Sequence, residues 1–108
     1  MYYGCFKSLE DVLDFYHIEE SDLIGCTILF AAYDDSEGYS GYSFVLFERE
    51  GKLYEVNASH CSGYDLEGQW EPEETTIEAL EVTRGGYFVG IYDDQLKDFL
   101  TAFKQGNQ

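Results

Sequence analysis

The sequence predicts an α+β fold: a single small domain with a mainly antiparallel sheet of about four strands, covered by helices on one side. Three observations carry this. The spacing of apolar residues switches between helical and extended periods along the chain. A two-residue turn, Glu50-Gly51, separates two strand-like runs and marks a hairpin. The chain has 108 residues, 44% of them hydrophobic, with 11 glycines and one proline. That is the length of one domain, too apolar for a disordered acidic tail and able to turn several times.

Taken in order, Ser8 stands where it can cap a first helix, and Asp11 at the third helical position makes a short-armed capping box. Leu9, Val12, Leu13 and Phe15 or Tyr16 follow at helical spacing, and the helix is expected to end near His17 to Glu19. A short acidic connection, Glu19 to Gly25, is anchored by Leu23 and Ile24. Cys26 to Tyr33 is rich in β-branched and aromatic residues and reads as a strand buried on both faces. Asp34 to Gly38 reads as an exposed turn.

Tyr42 to Arg49 and Lys52 to Asn57 are the hairpin strands. Phe44, Leu46 and Glu48 share one face of the first, and Ser43, Val45 and Phe47 the other. On the second, Leu53, Glu55 and Asn57 alternate with Tyr54 and Val56. Each face carries apolar residues, so periodicity alone leaves the buried face open. Ala58 to Glu74 is an irregular stretch holding His60, Cys61, Tyr64, Trp70 and Pro72. A second capping box, Thr75-Thr76-Ile77-Glu78, opens a short helix through Val82, and Arg84-Gly85-Gly86 stops it. Tyr87 to Tyr92 reads as a strand. Asp93 or Asp94 caps a last helix with apolar positions at Leu96, Phe99, Leu100 and Phe103 and Gly106 near its end.

Charge says more about partners than about fold. There are 22 Asp plus Glu against 6 Lys plus Arg, a net charge of −16. Small domains stay soluble with a magnitude of roughly 2 to 8. From Ser8 to Glu48 the chain has no Lys or Arg but 10 carboxylates; from Leu53 to Thr83 it again has no base and 8 carboxylates. Direct binding of nucleic acid or of an anionic membrane is disfavoured, since phosphates are met by Lys and Arg. The natural partner is a basic surface on another protein. Same-face carboxylates recur about every 6.6 Å on a strand, and helix neighbours stand about 5–6 Å apart at Cβ. Both spacings are comparable with that of successive phosphates. The expected contact residues are Asp34, Asp35 and Glu37 in the first turn and Glu71, Glu73 and Glu74 in the irregular stretch before the second helix. Glu10, Asp11 and Asp14 on the first helix come next, and Trp70 is a candidate aromatic anchor.

No catalytic residue, metal or cofactor is expected, and the chain is not read as an enzyme. His60 and Cys61 are adjacent, so an extended backbone points them to opposite sides, a poor arrangement for activating a thiolate. No Cys-x-x-Cys pair supports a zinc site, and Gly85-Gly86 lacks phosphate-loop spacing. Three cysteines without close spacing suit a reducing cytoplasm. The longest apolar run, Ile28 to Tyr33, is far short of the roughly 20 residues that span a bilayer. Met1 to Lys7 lacks the layout of a signal peptide. The expected location is the cytoplasm of a host cell.

The block EVNASHCSGYDLEGQWEPEETTIEAL, from Glu55 to Leu80, with FVLFEREGKLY before it, resembles a group of short acidic proteins encoded by bacteriophages and prophages. In that group the central stretch often reads His-Cys-Ser-Cys-Tyr-Gly-Leu-Glu, whereas Gly63 and Asp65 stand here in place of the second Cys and the Gly. The resemblance implies phage origin and supplies no catalytic residues. With the charge, it leads to an expected inhibitor of phage type. Such a protein would bind the basic surface of a host defence or nucleic-acid-processing protein, such as a CRISPR effector, by mimicking nucleic acid. The alternative is a small-ligand or metal-binding domain, or an enzyme, centred on His60, Cys61, Tyr64 and Trp70.

Overall fold

The computed structural model describes residues 2–34, 41–60, 66–83 and 93–106. In chain order these form β1 (Tyr2–Gly4), α1 (Leu9–Tyr16), a 3-10 turn (Glu20–Leu23), β2 (Cys26–Asp34), β3 (Gly41–Arg49), β4 (Lys52–His60), β5 (Glu73–Thr75), α2 (Ile77–Thr83) and α3 (Asp93–Gly106). The fold is α+β, with a five-stranded sheet in the order β1-β2-β3-β4-β5. The sheet is mixed: β1 lies parallel to β2, and the remaining pairs are antiparallel. The strand expected over Tyr87 to Tyr92 lies outside the described residues, as do Asp35, Glu37 and Cys61.

The β3–β4 hairpin forms where the sequence marks it. Its register is unbroken from Arg49↔Lys52 to Gly41↔His60. Glu50 and Gly51 both have positive φ, 53° and 80°, the pattern of the tight turn whose twist matches that of paired strands. β2 pairs with β3 through a bulge between Ile28 and Phe30. Ile28 packs on the α1 side, while Leu29 and Phe30 both pack on the other, so the extra residue resets the alternation.

Helices cover both faces of the sheet, which corrects the one-sided arrangement expected. On one face α1 and the segment before it set Phe6, Val12 and Tyr16 against Ala31, Tyr33, Val45, Phe47, Val56 and Ala58. On the other, Leu80 of α2 and Leu96 and Leu100 of α3 meet Phe30, Ala32, Phe44 and Leu46. The cause lies in β2 and β3, which carry apolar side chains on both faces and need a layer on each side. Across the first interface the Tyr16 hydroxyl and Ser43 Oγ share a buried hydrogen bond of 2.5 Å, tying α1 to the sheet.

The α1 cap falls at Ser8 as expected but lacks its side-chain bond, and the α2 cap falls one residue later than expected. Ser8 has the extended backbone of an N-cap but makes no side-chain cap bond. Asp11 Oδ2 accepts instead from the amide of Lys7, at 2.8 Å. At α2 the cap is Thr76, whose Oγ1 accepts from the Ala79 amide at 3.0 Å. Thr75 is buried at the end of β5. The α1 helix closes on His17 in the left-handed conformation, with the His17 and Ile18 amides bonded to Asp14 O and Leu13 O, a Schellman arrangement.

Candidate docking groove

The carboxylates picked out by sequence fall into unequal settings. Glu10 and Asp14 are exposed on α1, whereas Asp11 is half-buried and holds the Lys7 amide. Asp34 is half-buried at the end of β2, opposite Tyr42. Glu71 is exposed in the connection that precedes β5. Glu73 and Glu74 are exposed too, but they belong to strand β5 and not to a loop. β5 lies along the edge of β4 with the register Leu53↔Thr75, Tyr54↔Glu74 and Glu55↔Glu73. Strand alternation sends neighbouring side chains to opposite faces, so the expected Glu71, Glu73 and Glu74 cluster is split. Cross-strand pairing has overridden the weak intrinsic strand preference of glutamate.

The register shows what this does. Tyr42 sits opposite Ser59, Phe44 opposite Asn57, and Leu46 opposite Glu55. The last of these rows continues to Glu73. Phe44 and Leu46 lie beneath α2 and α3. On the β4–β5 half of that face is a groove of about 650 Å³, lined by Tyr42, Glu55, Asn57, Ser59, Gln69 and Glu73 together with neighbours from β5 and α2. Among the described residues its lining contains no Lys, Arg or His.

Hydrogen bonds shape its floor. Asn57 Nδ2 donates to Glu55 Oε1 at 2.7 Å, while Asn57 Oδ1 is shielded from solvent and has no hydrogen-bond partner among the described residues. At the far end Gln69 Nε2 donates to Ser59 O at 2.7 Å, and Gln69 Oε1 accepts from Ser59 N at 3.1 Å. One side-chain amide thus satisfies both edge groups that a neighbouring strand would meet. Glu55 and Glu73 occupy directly opposed positions, a like-charge arrangement that opposes sheet formation. Sequence reasoning passed over Glu55 and Asn57 as functional residues. Their signal was the Leu53, Glu55, Asn57 alternation, two polar groups on a hairpin face that also carries core residues.

Trp70 is turned toward the core. Its ring stacks on Phe47 at 5.8 Å and 13°, and meets Tyr16 edge-on at 5.0 Å and 75°. Phe47 in turn stacks on Tyr54 at 5.3 Å. The candidate aromatic anchor is thus half-buried and packed against the α1-side core. His60 ends β4, and Cys61 and Tyr64 lie outside the described residues. Among the described residues no group of three or more His, Cys, Asp or Glu is gathered as a metal site. Burial pushes the Cys26 thiol up, with Arg49 acting in the opposite sense, which works against thiolate reactivity.

No known protein family, curated protein or solved structure matches the chain.

The charge excess has a direct thermodynamic consequence. Lys104 Nζ and Glu81 Oε1 join α3 to α2 at 3.4 Å, but both side chains are about half exposed, at 50% and 43%. Such a pair contributes little, against self-repulsion from a net charge of −16. Raising NaCl from about 0.02 M to about 0.5 M shortens the screening length several-fold. The melting temperature should therefore rise by several degrees, read by circular dichroism. A fall would mean that ion pairs outweigh repulsion.

Proposed function

We propose that this protein is an inhibitory binder that occupies a basic, nucleic-acid-binding surface of another protein and excludes nucleic acid from it. The observation that carries this reading is the concentration of carboxylates in a chain of net charge −16, with Glu10, Asp14, Glu71, Glu73 and Glu74 all exposed. Binding would act by steric and electrostatic competition and requires no bond to be made or broken. The resemblance to short phage proteins favours host defence and nucleic-acid-processing proteins as partners, with CRISPR effectors as the first to test.

The experiment is competitive displacement. A labelled duplex bound to a CRISPR effector is titrated with the protein at about 0.05 M and about 0.3 M NaCl, concentrations that straddle physiological screening. Displacement at low salt that weakens at high salt is the expected result, since complementary charge drives association. The protein alone should not retard the duplex in a gel. Retardation by the protein alone, or displacement indifferent to salt, would overturn the proposal. Co-purification from host lysate, followed by mass spectrometry, then names the physiological partner.

A further inference from the structure

We infer that the open edge of β2 takes up an extended basic segment of the partner as an added strand, with one apolar side chain seated between α1 and β2. The inference deepens the inhibitory reading and rests on it. β2 spans nine residues, Cys26–Asp34, but β1 accompanies it only from Ala31 to Tyr33. Cys26, Thr27 and Ile28 have β3 on one side and, among the described residues, no strand on the other. Such an edge is a template for pairing with another chain. The opposite edge of the sheet is blocked. β5 brings Glu73 and Glu74 to it, and the Gln69 amide holds both backbone groups of Ser59.

A groove of about 360 Å³ lies beside the open stretch, lined by Tyr2, Leu9, Glu20, Leu23, Cys26 and Ile28. Cys26 and Ile28 pack on the α1 face of the sheet, so the groove opens on that face. Pairing with a strand edge supplies main-chain hydrogen bonds, and a pocket beside the edge selects the side chains on one face. The walls call for an apolar residue. Of the three large apolar side chains exposed among the described residues, Leu9 at 36% lines the groove and Ile24 at 74% follows Leu23. The charge calls for flanking bases. Glu20 lines the groove, and none of the lining residues is Lys, Arg or His. Burial pushes the Tyr2 hydroxyl up and the charge of Glu10 adds to it, which places Glu10 beside the same wall. Arg49 stands opposite Cys26 on β3, across the strand from the open edge. A second copy of the chain, at net charge −16, would bring like charge to this edge. An apolar residue with Lys or Arg two positions away on either side meets both demands, because alternate residues of a strand share a face.

Fluorescence polarisation with a labelled, end-capped Lys-Thr-Lys-Thr-Leu-Thr-Lys-Thr-Lys peptide tests this, against the same peptide with Ser in place of Leu. The Leu peptide should bind about tenfold tighter, the gain expected from burying one large apolar side chain. Leu9→Gln, at an exposed helix position, should remove that preference, while Glu10→Gln/Glu20→Gln should weaken both peptides. The control Glu71→Gln/Glu74→Gln removes the same charge elsewhere and should cost about twofold at most, as exposed charges do. Methylating the peptide's backbone amides should abolish the preference, and bound peptide should slow amide hydrogen exchange at Cys26 to Ile28. Circular dichroism confirms that each variant is folded. Equal affinity for the two peptides, equal losses in the two double variants, or unchanged exchange in β2 would overturn the added strand. So would a dimer, seen by light scattering, that Leu9→Gln disperses, since the edge would then belong to a second copy. Nucleic-acid displacement that survives undiminished in Leu9→Gln would overturn the groove as the partner's site and leave the inhibitory reading intact. Edge-dependent peptide binding by a parent protein that displaces no nucleic acid would retain the strand-adding edge and overturn the inhibitory reading.

Discussion

Trp70→Ala should lower the unfolding free energy by about 3 kcal/mol, within the range for truncating a large aromatic side chain in a packed site. The indole is the end of a three-ring stack, Trp70 on Phe47 on Tyr54, and its edge contact with Tyr16 joins that stack to α1. Removing it exposes apolar surface on Phe47 and Tyr16, which are otherwise 3% and 1% exposed. Aromatic pairs of this kind add about 0.5–1.5 kcal/mol beyond area burial. For a domain whose whole stability is about 5–15 kcal/mol, the loss is a large fraction. Trp70→Phe should recover part of it by keeping a ring in the stack. Since Trp70 is the single tryptophan, urea unfolding must be followed by far-ultraviolet circular dichroism in place of intrinsic tryptophan fluorescence. A midpoint equal to that of the parent would mean that the indole supports no packing and is free to serve as an interface anchor. A loss of inhibition in Trp70→Ala reports on partner contact only after correction for the folded fraction.

Local signals in the sequence carried the elements that local physics decides. The hairpin was legible because positive φ at two adjacent positions is a demand of the turn itself, which Glu50-Gly51 announces. The faces of α1 and α3 were legible because Val12 with Tyr16 and Leu96 with Leu100 repeat at helical spacing, and all four are buried. What escaped depends on distant partners. β1 spans three residues and exists through parallel pairing with Ala31, Ala32 and Tyr33, about thirty positions away. β5 exists because the edge of β4 offers hydrogen-bonding groups to a segment that has glutamate where a strand former would be expected. A strand apolar on both faces, as Cys26 to Tyr33 reads, already implies a layer on each side. That inference, carried through, would have placed α1 opposite α2 and α3.

The candidate site shows the same division. The abundance of carboxylates is a property of composition, readable at once, whereas their grouping is a property of register. Glu73 and Glu74 are neighbours in sequence and fall on opposite faces, while Glu55 and Glu73, eighteen positions apart, face one another across two strands. Alternation had put Glu55 and Asn57 on one face. Only the position of β5 brings Glu73 to it and leaves a groove beside the core. Trp70 was judged by residue type, since tryptophan is enriched at interfaces. Its inward packing follows from the approach of Tyr16 and Phe47, which come from α1 and β3.

Stability should fall steeply above roughly pH 10, where tyrosine ordinarily ionises, through Tyr16. Burial pushes the Tyr16 hydroxyl well above its ordinary range, with the hydrogen bond to Ser43 opposing part of that shift. The neutral phenol is the form that the α1–sheet interface accepts. Below the unfolded pKa, tyrosine is protonated in both states, and stability does not depend on pH through this group. Above it the unfolded chain releases the proton while the folded chain retains it, so each further pH unit removes up to about 1.4 kcal/mol until the folded pKa is reached. The comparison that isolates the effect is Tyr16→Phe, unfolded in urea at roughly pH 8, 10 and 11.5, a range that brackets ordinary tyrosine ionisation. The variant should start about 1 kcal/mol less stable at the lowest pH, because Ser43 loses its hydrogen-bond partner. It should then lose less stability than the parent as pH rises, so that the two curves converge. Parallel curves would show that Tyr16 titrates alike in the folded and unfolded chains, which is incompatible with a buried phenol bonded to Ser43 at the α1–sheet interface.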